Sequence, residues 1–292
     1  MKLRTNIRNG SSSGGLASEI ITACLSNGFR VFSCSNISDN FSFVEIKSKE
    51  ELIHCAGSKY VKSNFSNILR EIKKSVLNNK VLFVGLPCQV AAVKNYVSFF
   101  NSNNLYTIDL VCHGTPSLKL FDLYVDEVGF DREKDISFRN KNKFRVHTFD
   151  DLQSINSADE YTLAFLNSLS YTENCYKCKF AKTERVSDLT LGDAWSSNIT
   201  EEKNKGVSLV LVSSEKGAEI LERANVTLHN IDFEKERSIN HQLTRPSIKH
   251  KKYASFFKSI YSGKPFTKTV RKCLPFICLK QRIKRLIKRK SR

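Results

Sequence analysis

Cysteine carries most of the chemistry this chain offers, and spacing singles out a few of its nine cysteines. Cys175-Tyr-Lys-Cys178 is a C-x-x-C pair. Such a pair serves as half a zinc site, as a redox dithiol, or as two ligands of an iron–sulfur cluster. No second pair exists at zinc-site spacing. A thioredoxin-like dithiol wants an apolar strand just before it, and NSLSYTEN reads as a loop. What remains is a cluster completed by lone cysteines. Cys88 follows the apolar run Val81 to Val84 through Gly-Leu-Pro, and Cys112 follows LYTIDLV, Leu105 to Val111. Both runs read as buried strands, and in open α/β sheets ligands bind beyond the strands' carboxyl ends. Four thiolates make the ligand set of a 4Fe–4S cluster. Cys24, Cys34 and Cys55 lie inside apolar or helical patterns and read as small buried hydrophobes. Cys273 and Cys278 flank a proline in the tail and have no assignment.

The elements that must position these thiols follow from periodicity. SSSGG, Ser11 to Gly15, leads into an apolar-periodic helix that Gly28 stops. Ser and Gly there either cap an ordinary helix or curl the backbone so that its amides face an anion, a flavin or nucleotide phosphate. RVFSCS and FSFVEI read as strands, KEELIHCAG as a short helix, and Phe65 to Leu77 as a basic amphipathic helix. Gly57 to Ser63 is a polar loop that offers Lys59, Tyr60 and Lys62 to a ligand. A helix over Val90 to Phe100 separates the two cysteine-tipped strands, so Gly28 to Gly114 runs ββαβαβ. The expected fold is α/β: a mixed, mainly parallel sheet flanked by helices, an irregular cysteine-containing C-terminal half and a basic helical tail. Further on, Leu118 to Val128 and Glu160 to Leu169 read as helices. DISFRN and FRVHTF read as paired strands, and GVSLVLVSS as another strand. The divisions expected are 1–80, 81–262 and 263–292.

Composition sets the class. With 40% hydrophobic and 26% charged residues the chain is a globular protein. It has no apolar run of spanning length and no signal peptide, which points to the cytoplasm. Cysteines there favour metal or redox roles over a disulfide framework. Of the net charge of +18, the stretch Lys280 to Arg292 holds eight Lys or Arg and no acid, leaving +10 for the rest, read as spread out. No RNA-recognition motif accompanies it, so nucleic acid is disfavoured. An anionic cofactor or acidic partner accounts for the charge. Ile283, Leu286 and Ile287 share one face of the tail, which would suit peripheral contact with an anionic membrane.

Taken in order, SSSGG, GSKYVKS, GLPCQ, DLVCHGTPS and C-x-x-C followed by R-x-x-D-x-T-x-G-D-x-W resemble the coenzyme F420 hydrogenase/dehydrogenase beta-subunit family. The resemblance covers about residues 1 to 250. It implies an iron–sulfur flavoprotein that binds FAD and passes electrons between clusters and a two-electron acceptor, the deazaflavin or another. Relatives also occur in polysaccharide gene clusters. The resemblance matches Cys88, Cys112, Cys175 and Cys178 to the family's cysteines. It places Ser11, Ser12, Ser13, Gly14, Gly15, Gly57, Ser58, Lys59 and Tyr60 around the flavin. His113, Asp109, Arg185, Asp188 and Asp193 fall near the same centre, with Arg185 and Lys59 as cations beside the flavin ring. Asp188 and Asp193 are equally explained as turn and capping residues. Many relatives carry a ferredoxin-like segment before SSSGG, and the ten residues preceding that motif here do not contain it. Either the chain is a fragment, or its electrons come from a separate ferredoxin or donor subunit, which a basic surface suits. From another class, a zinc-stabilised, redox-inactive interaction protein of a surface-polysaccharide pathway also accommodates four cysteines.

Overall fold

The computed structural model describes residues 11–37, 40–100, 102–141, 143–148, 157–199 and 205–290. Its centre is a six-stranded sheet. The strands are β1 (Arg30–Ile37), β2 (Asn40–Ile46), β3 (Val81–Gly85), β4 (Leu105–Leu110), β7 (Leu189–Asp193) and β8 (Ser208–Val212), and a separate hairpin pairs β5 (Ile136–Asn140) with β6 (Lys143–Thr148). The order is β2-β1-β3-β4-β7-β8. The four inner strands are parallel, and β2 and β8 run antiparallel at the edges. The mainly parallel α/β sheet expected from the sequence is what forms. At the centre, β3 is a continuous apolar run because helices cover both of its faces.

Side-chain alternation sorts β3 between two cores. Leu82 and Val84 pack with α1 (Leu16–Ser26) and α7 (Glu215–Glu222) on one face. Val81 and Phe83 pack with α3 (Leu69–Val76) and α4 (Pro87–Val97) on the other. A third core lies beyond the sheet. There Phe121 of α5 (Leu118–Val128), Phe138 of β5, Tyr161 of α6 (Glu160–Leu166), Phe256 of α9 (Tyr253–Tyr261) and Phe266 of α10 (Phe266–Cys273) meet. The remaining helices are α2 (Leu52–Cys55), α8 (Phe233–Ile239) and α11 (Pro275–Lys290). β1 and β3 stand on either side of the division expected at residue 80, yet they are hydrogen-bonded neighbours. Cys273 and Cys278 belong to the third core, which gives them a packing role.

The expected helix boundaries shift at one consequential place. α4 starts at Pro87, three residues before Val90. Proline suits a first helical position, and the buried Gln89 accepts a hydrogen bond from Leu86 N–H at 2.8 Å, closing the start. Cys88 therefore sits in the first helical turn rather than in a loop ahead of it. Phe149, expected to end the second hairpin strand, lies outside the described residues, as do residues 1–10.

Candidate functional site

Because β1, β3, β4 and β7 are parallel, their carboxyl ends lie along one edge of the sheet, and the singled-out residues arrive there. Gly85 leads to Cys88, Leu110 to Cys112 and His113, and β7 ends on Asp193. Glu173–Lys177 forms a short 3-10 turn that carries Cys175 and presents Cys178 at its end. Cys112 and Cys88 each feel other thiols that arrive there. Burial raises the Cys112 thiol above its ordinary range, and Cys175, Cys88 and Cys178 raise it further. Cys88 is raised by its surroundings and then by Cys178 and Cys175. The four expected thiols thus lie within electrostatic reach at this edge of the sheet. Cys175 Sγ accepts a hydrogen bond from Thr115 N–H at 3.4 Å and lies 3.3 Å from the Thr172 hydroxyl. Cys88 is exposed while the other three are half-buried.

Among the described residues, no three His, Cys, Asp or Glu side chains stand close enough to grip one metal ion. A polynuclear cluster is larger than an ion and seats its thiolates further apart, with N–H donors to sulfur tuning its potential. The donor set here, four thiols with an amide aimed at one of them, fits that group. A single zinc would require the sulfurs to draw together.

Behind Cys112 opens a cavity of about 480 Å³. Its walls include Ser11, Ser12, Ser13, Gly15, Gly57, Ser58, Lys59, Tyr60, Cys112, His113 and Asp193. Two separate flavin-expected motifs meet on it: Ser58 N–H donates to Ser12 Oγ at 2.7 Å. Ser13 donates to Val207 C=O, and Gly14 N–H to Ser208 Oγ. Gly14 admits no side chain, since a Cβ would lie 2.8 Å from Ser208 N. Gly15 takes the left-handed conformation (φ 88°) and precedes α1 without any side-chain cap. Glycine thus holds the N-cap position, and no serine side chain caps the helix. The α1 residues Leu16, Ala17 and Ser18 line the cavity, so the positive end of the helix opens into it.

Several expected residues occupy places other than those foreseen. Arg185 does not line the cavity. Its guanidinium donates to Asp109 (2.8 Å), Thr190 Oγ1 (3.1 Å) and the Phe180 and Lys182 carbonyls. Asp109 is sealed beneath, its carboxyl raised because burial outweighs the pull of Arg185. Asp188 accepts from Thr107 N–H and Oγ1 and from Ser214, which ties β4 to β7 and α7. Lys59 does line the cavity, but its ammonium donates to the carbonyls of Cys55, Ala56 and Gly57, and burial lowers its pKa. Cys34 and Cys55, expected as core hydrophobes, also reach the cavity wall. Burial raises both, Cys55 to about 11, whereas Cys24 is fully buried and held at about 12.

The sequence reading missed the β5–β6 hairpin as part of the site. Arg139 forms a two-pronged ion pair with Asp193, at 2.6 and 2.8 Å, and lies over the rings of Phe144 and Trp195. Asp193 holds that guanidinium charged against the cost of burial. Lys141, at a left-handed φ of 53°, donates to the Ser11 and Ser13 carbonyls and so fastens the hairpin to SSSGG. Tyr60 stacks on Phe165 at 4.2 Å, which gives the cavity an aromatic wall. The only signal in the sequence was an Arg at the end of a strand, and a register shift between Ser137 and Arg139 re-aims it.

His113 faces the cavity beside Cys112. The Gln242 amide nitrogen bridges it and His241, donating to His113 Nδ1 at 2.6 Å and His241 Nε2 at 2.8 Å. Enclosure in protein, then His241, lowers His113 to about 4 from 6.5, with Asp193 opposing. The ring is neutral at physiological pH.

Comparison with known proteins adds the following. Residues 2–70 match the family profile described as coenzyme F420 hydrogenase/dehydrogenase, beta subunit N-term, and residues 78–236 match the profile for the C terminus of that same beta subunit. A coenzyme F420 hydrogenase subunit beta from Methanococcus voltae is 24% identical over 175 residues, 58% of this chain and 57% of that protein. The chain thus spans a little over half the length of that curated relative. A solved structure of the F420-reducing [NiFe] hydrogenase complex from Methanosarcina barkeri superposes with a TM-score of 0.55 at 19% identity, covering 75% of each chain, a likeness of fold.

Proposed function

The chain belongs to the coenzyme F420 hydrogenase/dehydrogenase beta-subunit family, and on that premise we propose that it is an FAD- and 4Fe–4S-dependent oxidoreductase or electron-transfer subunit. One observation carries the reading: a single cavity touches SSSGG, GSKY and Cys112 together, so a flavin in it would end beside the thiol cluster. When bound, the two groups would supply one-electron storage and two-electron exchange with an acceptor.

The chain's own residues have separable tasks. Cys88, Cys112, Cys175 and Cys178 hold the cluster, and the Thr115 amide orients Cys175. The uncapped amides of α1 receive a phosphate. Tyr60, Phe144, Phe165 and Trp195 form an apolar wall that excludes water and suits a flat ring. Arg139 supplies the cation expected of Arg185, and an adjacent positive charge favours a reduced, anionic ring. Neutral His113 offers a ring proton at the junction of thiols and cavity. Asp109 and Arg185 position the loop that leads away from Cys178. Exposed Lys177, Lys179 and Lys182 lie in or next to that loop and would receive an acidic donor such as a ferredoxin or a partner subunit. A small-molecule acceptor, the deazaflavin or another, enters by the cavity.

Anaerobic purification and reconstitution should yield a yellow-brown protein with about four irons per chain and bound FAD, with Cys112→Ser and Cys175→Ser each losing the iron. Zinc without iron after the same treatment would favour the redox-inactive interaction protein. Colourless protein without flavin would end the proposal.

A further inference from the structure

The chain's charge is divided very unevenly. All 29 Asp and Glu lie at or before Glu236, together with 29 of the 47 Lys and Arg; the last 56 residues hold the other 18 and no acid. Residues 1–236 are neutral overall, and the whole net charge of +18 belongs to the segment that follows. This corrects the expectation that the charge outside the extreme tail is spread along the chain. The segment contains α9, α10 and α11, packed one on the next. A few of its bases are engaged elsewhere, Arg271 with Glu160 and Lys249 with Glu173.

α11 has a fastened side and an open side. Leu274, just before it, and Cys278 are buried in the third core. Phe276, Leu279, Ile283 and Leu286 are 84%, 54%, 47% and 61% exposed. Their steps of three, four and three residues place them on one stripe of the helix. Exposed Lys280 and Lys284 flank the stripe on one side and exposed Arg282 on the other. The side chain of Ile287, expected on the same face, lies outside the described residues.

We infer that this stripe lies in the headgroup region of an anionic lipid bilayer, with the bases of the acid-free segment against the lipid phosphates. A nucleic acid would neutralise the bases and leave four large apolar side chains in water. One acidic helix could cover the stripe but is too small to match eighteen bases distributed over 56 residues. A planar, negatively charged surface with an apolar layer beneath satisfies both features. Contact is peripheral, since no helix among the described residues is long and apolar enough to cross a membrane.

The test is co-sedimentation of the full-length protein with vesicles of pure phosphatidylcholine and of phosphatidylcholine mixed with phosphatidylglycerol. Binding to the mixed vesicles alone is expected, weakened by salt. The triple variant Leu279→Ser/Ile283→Ser/Leu286→Ser keeps every base and should bind at least about tenfold more weakly, with unchanged circular dichroism. Equal binding of variant and parent would mean charge alone is at work and would overturn the inference, as would indifference to phosphatidylglycerol. A parent that ignores vesicles but is a dimer, which the variant turns into a monomer, would show the stripe to be a self-interface and overturn it too. Iron and flavin content on the same samples separates failure here from failure of the redox reading.

Discussion

Two Arg–Asp pairs stand at the carboxyl ends of neighbouring strands, and their chemistry is alike while their surroundings are not. Arg185 and Asp109 have side chains 3% and 0% exposed, and the rest of that guanidinium holds Thr190 and two loop carbonyls. Arg139 and Asp193 are 6% and 21% exposed, and apart from the neighbouring Lys141 carbonyl, which accepts its Nε–H, the guanidinium lies over two rings of the cavity wall. The first pair braces the floor that carries the thiols. The second lies where a ligand would sit. Residue type does not separate scaffold from site; the remaining partners of each charge do.

The largest expected effect follows from breaking the sealed pair. Arg185→Ala leaves a buried carboxylate uncompensated and should cost about 3–5 kcal/mol in denaturant unfolding. The sign with pH follows from the position of Asp109. Its carboxyl already titrates above the ordinary range, and loss of the guanidinium moves it higher, so the fold tolerates it best protonated. The deficit should therefore shrink from pH 8 to pH 5. An equal deficit at both values would mean the pair is not what braces the floor.

The open pair should matter less to stability and more to ligand. Arg139→Ala removes charge-assisted hydrogen bonds worth about 1.5–3 kcal/mol and should lower FAD retention at least about tenfold in equilibrium dialysis. Arg139→Lys keeps the charge but not the fork and should fall between. If Arg185→Ala and Arg139→Ala retain flavin alike once folded, the contrast drawn between the pairs fails.

His113 gives a gentler test. Its folded pKa of about 4 lies below the ordinary 6.5, so between those values the unfolded chain binds a proton that the folded chain does not. Stability should fall as pH drops through that window, and His113→Gln should flatten the acid limb of a melting-temperature profile. Ser12→Ala, which removes the acceptor for Ser58 N–H, should cost about 1 kcal/mol and loosen the flavin loop. The smallest perturbation is optical. Trp195 is the sole tryptophan and lies on the cavity wall, so adding FAD to apoprotein should quench its fluorescence, and unchanged emission would put the ring elsewhere.

Much of the scaffold is legible because apolar runs announce themselves. The strand at Val81 shows as four consecutive apolar residues and that at Leu105 as a mostly apolar run of seven broken by Thr107 and Asp109, and the helix Leu118–Val128 forms with the bounds its periodicity gives. The arrival of Cys88 and Cys112 at one edge of the sheet follows from two parallel strands ending alike. The role of Arg185 is misplaced by the sequence because a cation near an aspartate in the chain says nothing of which one faces the ligand. Cys34 alternates correctly for a buried position on β1, yet the cavity cuts into the sheet there, a shape no period encodes. Arg139 and Lys141 are invisible as site residues because a hairpin outside the main sheet delivers them to partners far along the chain, 54 residues away for Arg139–Asp193 and 130 for Lys141–Ser11.

By itself, then, the chain's order of residues settled which segments become strands and helices, where thiols and small residues fall along them, and where the charge accumulates, since these depend on neighbours within a few positions. Only folding decided which arginine braces and which lines the cavity, that two glycine- and serine-rich loops touch, and that the apolar stripe of α11 stays uncovered, because burial and partnership are properties of residues far apart in sequence. The physical reason is the range of the forces involved: backbone propensity and hydrophobic period act locally, whereas desolvation and ion pairing take their sign from everything packed around a group.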